Sequence, residues 1–280
     1  MMRDFLAMVQ SGLGTRYTVE QEIGRGGGAC VFRARDARGT VIALKVLHPE
    51  LLVSVAADRF LREIEFARKL DHPNIARLLD AGEQGWLVYY AMTYAEGPSL
   101  RQRLDAGGPL PPADVQRLAA DVLGALGYAH ERGVIHRDVK PENVVVSSAG
   151  AILLDFGIAR AVQVSGNQLT RAGTTLGTAA YMSPEQIQGG AAVDQRTDLY
   201  ATGCLLFEAV AGRPPFNHPN LMLVLHQHMH EPVPDLRALR PETPAALVDV
   251  IARALAKEPD DRWQSAAEML AALGGPVTAG

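Results

Sequence analysis

The densest run of potential chemistry is His136-Arg137-Asp138-Val139-Lys140-Pro141-Glu142-Asn143, followed twelve residues after Asn143 by Asp155-Phe156-Gly157. Either stretch alone is a common polar loop. Their order, downstream of three further features, makes chance coincidence a poor account. The first feature is Gly24-Arg25-Gly26-Gly27-Gly28, a cluster whose backbone amides can approach phosphate oxygens without side-chain obstruction. It falls between two alternating strands and lacks a Gly-Lys-Ser/Thr ending, so it is neither a dinucleotide-binding turn nor a Walker loop. The second is Lys45 inside Ile42-Ala43-Leu44-Lys45-Val46, where an unpaired ammonium is costly. The third is Glu63, which shares an inward helical stripe with Phe60 and Ala67, whereas Glu65 turns about 200° away. A buried Lys45–Glu63 pair is the economical assignment; the alternative is a lysine stem snorkelling to the strand edge.

Two kinds of scaffold must hold these groups. The first part of the chain reads as strands: Tyr17, Val19 and Ile23 alternate on one face, and Val41–Leu47 is a β-branched and aliphatic run. A helix is expected over Ala56–Leu70, then strand-like runs at Ile75–Leu79 and Trp86–Met92. Ala95-Glu96-Gly97-Pro98 interrupts both periodicities and reads as a hinge. Beyond it the pattern is helical. Pro112 suits the first turn of a helix running to Gly133, with Val115, Leu118, Val122, Leu126 and Ala129 inward. Short strands at Val144–Val146 and Ile152–Leu154 and a Gly/Thr-rich loop at Gly166–Gly177 precede further helices from Asp198 to Leu273.

Composition narrows the class. The 280 residues are 48% hydrophobic and 21% charged, ordinary for a globular chain with a sizeable core. A formal net charge of −4 argues against nucleic acid as a partner. Two cysteines, Cys30 and Cys204, give no disulfide framework and fit a reducing, cytoplasmic setting. Met1–Gly14 lacks the continuous apolar block of a secretory signal, and Ala201–Val210 and Leu221–Leu225 fall short of a membrane span. A membrane-anchored parent chain stays open.

The ordered set resembles the Hanks-type protein kinases, most closely the bacterial eukaryotic-like serine/threonine kinases, over about residues 17–270. The resemblance implies an α+β, bilobal protein-kinase fold. Its parts are an N-terminal extension (1–16), a β-rich N-lobe (17–92), a hinge (93–97), a mostly helical C-lobe (98–273) and a tail (274–280). It also implies transfer of the ATP γ-phosphoryl group to serine and threonine hydroxyls of proteins. By this likeness the glycine hairpin covers the phosphates, and Lys45, paired to Glu63, holds the α- and β-phosphates. Asp138 orients the acceptor hydroxyl and takes its proton, while Lys140 neutralises the transferred group. Asn143 and Asp155 hold Mg²⁺, with Mn²⁺ a possible substitute. Ile23, Val31 and Ala43 would roof the adenine and Val145 floor it; backbone at Thr93, Tyr94 and Ala95 would bond it behind the gatekeeper Met92. Lys140 and Thr178 point to the serine/threonine branch. Phe156, a Glu185–Arg262 ion pair in Ser183-Pro184-Glu185, and Asp198 as a brace of the loop are structural roles.

Arg137 directly before Asp138 implies control by phosphorylation at Thr170, Thr174 or Thr175, with Ser165 a weaker candidate. The likeness also implies a homodimer through the N-lobe. Ala29 stands where a strict Gly-x-Gly-x-x-Gly would place glycine, which bears on hairpin geometry. Cys30 is expected as a small strand residue rather than a redox centre. His226-Gln227-His228-Met229-His230 has helical metal-ligand spacing but no acidic partner, so a solvated helix end is expected. A scaffold that has lost transfer is disfavoured by the intact Lys45, Glu63, Asp138, Asn143 and Asp155. A small-molecule kinase is disfavoured by Lys140, Thr178 and the Ser183-Pro184-Glu185 segment.

Overall fold

A computed structural model describes residues 2–26, 28–48, 64, 67–85, 87–156, 176–189 and 193–274. Gly27, Glu63, Gly157, Ser165, Thr170, Thr174 and Thr175, most of the expected helix Ala56–Leu70, and residues 275–280 lie outside the described residues. The chain forms two units. The first comprises the chain up to His72 together with Ala76–Ala95; the second holds Pro73–Ile75, Glu96–Phe156 and the described residues from 176 onward.

The first unit is a five-stranded antiparallel sheet in the order β1-β2-β3-β5-β4. Its strands are β1 (Tyr17–Arg25), β2 (Ala29–Asp36), β3 (Val41–Leu47), β4 (Leu78–Gln84) and β5 (Leu87–Thr93). Period-two alternation splits the side chains between two cores. Cys30, Phe32, Ala34, Ile42, Leu44 and Val46 fill one face. Ala29, Ala43, Leu47, Tyr90 and Met92 fill the other, against the helical Ile64 and Ala67; the expected helix does not run to Leu70, since residues 68–69 form a turn.

A helix, α1 (Met2–Leu13), covers the first face, burying Val9 and Leu13 and packing Phe5 and Leu6 against it. The sequence pattern alone marks this stretch only as an extension. Twelve residues are too few for an isolated helix to persist in water, so its order comes from this packing.

Two expectations fail in register. Ile23 is 39% exposed, not aligned with buried Tyr17 and Val19, because β1 bulges between Val19 and Gln21 and again between Glu22 and Gly24. Each bulge adds a residue to one strand and shifts the phase of those beyond it. Ile75 does not begin β4. It forms an isolated parallel bridge to Leu153 in the second unit, where Asn74 Nδ2 donates to Ala151 O at 2.8 Å and Asn74 O accepts Leu153 N–H at 2.8 Å.

The second unit is helical around a small hairpin of β6 (Val144–Ser147) and β7 (Gly150–Leu153). Its first helices are α2 (Leu100–Gly107) and α3 (Pro112–His130); α3 buries Val115, Leu118, Val122, Leu126 and Ala129. This helix ends at His130 rather than Gly133, which takes a left-handed φ of 73° in the following turn. Then come α4 (Leu176–Ala179), α5 (Pro184–Gln188), α6 (Arg196–Ala211), α7 (Leu221–His230), α8 (Leu236–Leu239), α9 (Ala245–Ala254) and α10 (Ala266–Ala272). The apolar helix α6 is buried from Thr197 to Val210 and is the axis around which the unit packs. Among the described residues, no helix is long and apolar enough to cross a membrane.

Candidate active site

In the second unit, residues 136–143 are held in place by a buried carboxylate. Asp198, in the first turn of α6, accepts the His136 amide at 2.8 Å and the Arg137 amide at 2.7 Å, and pairs with His130 Nε2 at 2.8 Å. Burial alone would push its carboxyl up, but the His130 bond and the nearby amides outweigh it and hold it below the usual range. Arg137 takes φ 69°, a left-handed conformation unusual outside glycine, and its carbonyl accepts Gln186 Nε2 at 2.9 Å.

His136 is fixed at both nitrogens. Asp138 N–H donates to Nδ1 at 3.2 Å, so Nε2 carries the proton and donates to Leu154 O at 2.7 Å. Its ring meets Phe156 edge-on, centroids 4.6 Å apart, and Phe156 is buried. Leu154 N–H donates to Asn143 O at 2.8 Å, which seats Asp155, itself at φ 61°, beside the loop.

Asp138, Lys140, Asn143 and Thr178 meet through one carboxylate. Asn143 Nδ2 donates to Asp138 O at 2.8 Å and to Asp138 Oδ2 at 2.9 Å. Lys140 Nζ lies 2.8 Å from Asp138 Oδ2 and donates to Thr178 Oγ1 at 3.0 Å. Both amide hydrogens of Asn143 are thus engaged, which leaves its Oδ1 as the acceptor for a cation. Asn143 Oδ1 and the Asp155 carboxylate are hard oxygen donors, the set that a small divalent cation takes alongside phosphate oxygens. Among the described residues, no cluster of three or more His, Cys, Asp or Glu side chains forms a separate metal site.

The chain at 97–99 is stitched to β6. Val146 N–H donates to Pro98 O at 3.0 Å, Ser99 bridges Val145, and a Cβ on Gly97 would lie 2.5 Å from Val146 O. Val145, proposed floor of the adenine site, is buried. Farther off, Arg262 Nη1 and Nη2 donate to the two oxygens of Glu185 at 2.8 and 2.9 Å, and Thr197 Oγ1 donates to Glu185 Oε1 at 2.6 Å.

In the first unit, Lys45 lies on the same face as Ala43, opposite Val31 on β2 and Tyr90 on β5. Its Nζ is 5.8 Å from the centre of the Tyr90 ring. Ala43 and Met92 are paired and buried in the core that Val31 and Tyr94 flank; Ala95 is half-buried. Thr93 N–H is taken by Arg77 O at 2.9 Å, so it is not available to a ligand. At the glycine hairpin, Gly24 faces Val31, Gly26 N–H donates to Ala29 O at 2.9 Å, and Arg25 pairs with Glu22. Gly28 O accepts His48 N–H at 3.0 Å.

Three features escaped the motif reading. His130 turns from the end of α3 onto Asp198, and Asn74 anchors β7. The third is a polar network: Arg101 reaches Glu208 at 2.7 Å, Glu142 at 3.0 Å and Tyr181 at 2.6 Å. A lone acid, Glu208, within the apolar run Ala201–Val210 was the available signal, because a buried carboxylate demands a partner.

The histidine run divides: His226 and His230 are exposed, as expected of a solvated helix end, but His228 is fully buried, its Nδ1 at 2.8 Å from Tyr200 OH. Its position in the stripe of α7 with Val224 and Leu225 turns it to the core, so it is not part of a solvated helix end. Cys30 is buried, and burial pushes its thiol up, which suits a small strand residue.

A two-unit chain with a β-sheet first unit, a helical second unit and this loop defines a protein kinase catalytic domain. The protein kinase domain family matches residues 17–272, and the chain belongs to that family. It is 42% identical to serine/threonine-protein kinase PknB of Mycolicibacterium smegmatis over 269 residues, 93% of this chain and 43% of the relative. The PknB of Mycobacterium tuberculosis strain H37Rv is also 42% identical, over 272 residues, 94% of this chain and 43% of the relative. A probable serine/threonine-protein kinase of Streptomyces coelicolor is 40% identical over 264 residues, 92% of this chain and 39% of the relative. The chain therefore spans about two fifths of the length of these curated relatives.

Proposed function

We propose that this chain is a serine/threonine protein kinase that transfers the γ-phosphoryl group of ATP to protein hydroxyls. The observation that carries the reading is the Asp138 carboxylate, oriented at Oδ2 by Asn143 at 2.9 Å and Lys140 at 2.8 Å. A carboxylate locked in this way is suited to orient an acceptor hydroxyl and accept its proton. Lys140, shared with Thr178, would follow charge from Asp138 toward the transferred group. Thr178 and Lys140 together support a serine or threonine acceptor, as do the names of the PknB relatives.

Asn143 Oδ1 and Asp155 would hold Mg²⁺, which when bound neutralises charge developing on the phosphate oxygens. Lys45, paired with Glu63, and the backbone of residues 24–28 would take the phosphates. Val31, Ala43, Met92, Tyr94 and Ala95 in the first unit are the residues proposed for the base, as is Val145 in the second. The exposure of Ile23 makes it the weakest member of that set. Arg137 would bind a phosphate introduced at Thr170, Thr174 or Thr175 by the enzyme itself.

Incubation of the wild type and Asp138→Asn with labelled ATP, Mg²⁺ and a generic basic protein acceptor tests the reading. Asp138→Asn is expected to lose roughly 10²- to 10⁴-fold in rate; equal labelling by both forms would refute the assignment. Mass mapping after incubation with Mg-ATP tests the regulatory part: an active enzyme with an unmodified 157–175 segment sinks it.

A further inference from the structure

We propose that α1 is a positioning element for the glycine hairpin and thereby sets nucleotide affinity. The inference rests on the kinase reading of that hairpin, and it concerns residues outside the region that matches the family.

The strand that carries the hairpin is the most irregular of the sheet, with two bulges against one in β4. β1 bulges twice, and a bulge leaves backbone groups off the ladder and lets the strand bend. Helix α1 engages β1 at both irregularities. At the first, Gln10 Oε1 accepts the Val19 amide at 2.7 Å, while Gln10 Nε2 donates to Tyr17 O at 3.0 Å and Gly14 O at 2.9 Å. One side chain thus ties the end of α1 to the start of β1 and supplies the acceptor at the bulge. At the second, Glu22 grips Arg25 through both carboxylate oxygens, at 2.7 and 2.6 Å, and the Arg25 guanidinium lies 5.7 Å from the centre of the Phe5 ring.

Phe5 also meets His48 edge-on at 6.5 Å, and His48 N–H holds Gly28 O on the other side of the hairpin. The helix therefore reaches the first arm of the turn at Arg25, the second at Phe32, 6.2 Å from the Phe5 ring, and Gly28 indirectly through His48. Were α1 only a cover for apolar surface, Val9 and Leu13 would suffice; Gln10 and Phe5 add contacts directed at the bulges and the turn.

Phe5→Leu keeps apolar cover and removes the ring beneath Arg25; Gln10→Ala removes the acceptor of the Val19 amide. Both are compared with wild type by calorimetric ADP titration with Mg²⁺, by KM for ATP, by kcat, and by thermal unfolding. Phe5→Leu is expected to weaken ADP binding and raise KM for ATP ~2- to 5-fold with kcat and acceptor KM unchanged. The double variant should weaken binding further. If Gln10→Ala does not fold, Phe5→Leu alone decides the matter. Variants that bind ADP as wild type does while losing thermal stability overturn the inference, since α1 is then a cover only. A wild type that binds no ADP overturns the kinase reading itself, and this inference with it.

Discussion

Arg262 and Glu185 form a two-bond ion pair in which the guanidinium is wholly buried and the carboxylate nearly so. Three backbone carbonyls also accept from the guanidinium: Ala256 O at 2.8 Å, Lys257 O at 2.7 Å and Arg196 O at 3.3 Å. The cation therefore has no way to relax into solvent if its partner is lost. Glu185→Gln is expected to cost about 3–5 kcal/mol of unfolding free energy, measured by denaturant titration. The pair also gives an acid signature. Burial pushes the Glu185 carboxyl up, but the Arg262 and Thr197 bonds outweigh it and lower it on balance. A group depressed in the folded state contributes stability above its unfolded value and loses it as pH falls through the folded one. Stability of the wild type should therefore drop below about pH 4, with a shallower slope in Glu185→Gln.

His228 adds a second acid limb at higher pH. Burial first, then the neighbouring Lys257 charge, holds its imidazole down to about 3. The unfolded chain takes up a proton near pH 6.5 where the folded chain refuses it. Stability should then fall as pH drops from about 6.5, and His228→Asn should flatten that slope while lowering stability at pH 7. Denaturant midpoints across pH 4–8 separate this limb from that of Glu185. An unchanged slope in His228→Asn contradicts the assignment.

Thr178 shares Lys140 with Asp138, at 3.0 and 2.8 Å. Removing the hydroxyl leaves the ammonium with a single described partner and frees it to swing. Thr178→Ala should reduce kcat about tenfold, the scale of a hydrogen bond to a charged group, and Thr178→Ser should recover most of it. Steady-state kinetics with a fixed peptide acceptor checks both. Recovery absent in the serine variant would show that the methyl, not the hydroxyl, matters.

Gly97 combines φ 129° with a carbonyl that a side chain cannot avoid. Gly97→Ala should destabilise the protein by roughly 1–3 kcal/mol, since the contact is backbone and cannot rotate aside. Thermal unfolding reads this directly; a neutral substitution would mean that the Pro98–Val146 bond gives way cheaply.

Local pattern made much of this protein legible. Val41–Leu47, a β-branched and aliphatic run, forms a strand buried on both faces, and every residue of the stripe Val115, Leu118, Val122, Leu126 and Ala129 is buried. The spacing of Asp138, Lys140 and Asn143 puts them within one short turn, so their meeting is nearly a local matter. Phase was less secure. Tyr17 and Val19 are buried in step, but the bulges broke the pattern before Ile23, and a bulge is a property of two paired strands.

Type and order of residues alone therefore determined the family, the two kinds of scaffold and the candidate catalytic loop, because those depend on short-range periodicity and on chemistry within a few residues. Tertiary structure decided the rest. His130 lies 68 positions from Asp198, Arg101 lies 107 from Glu208, and α1 gains its order only against the sheet; the Asp198 brace and the Glu185–Arg262 pair were reachable through family likeness, not through local pattern. Contacts at such separations leave no periodic trace, since each is set by how elements pack and which buried charges must find a partner.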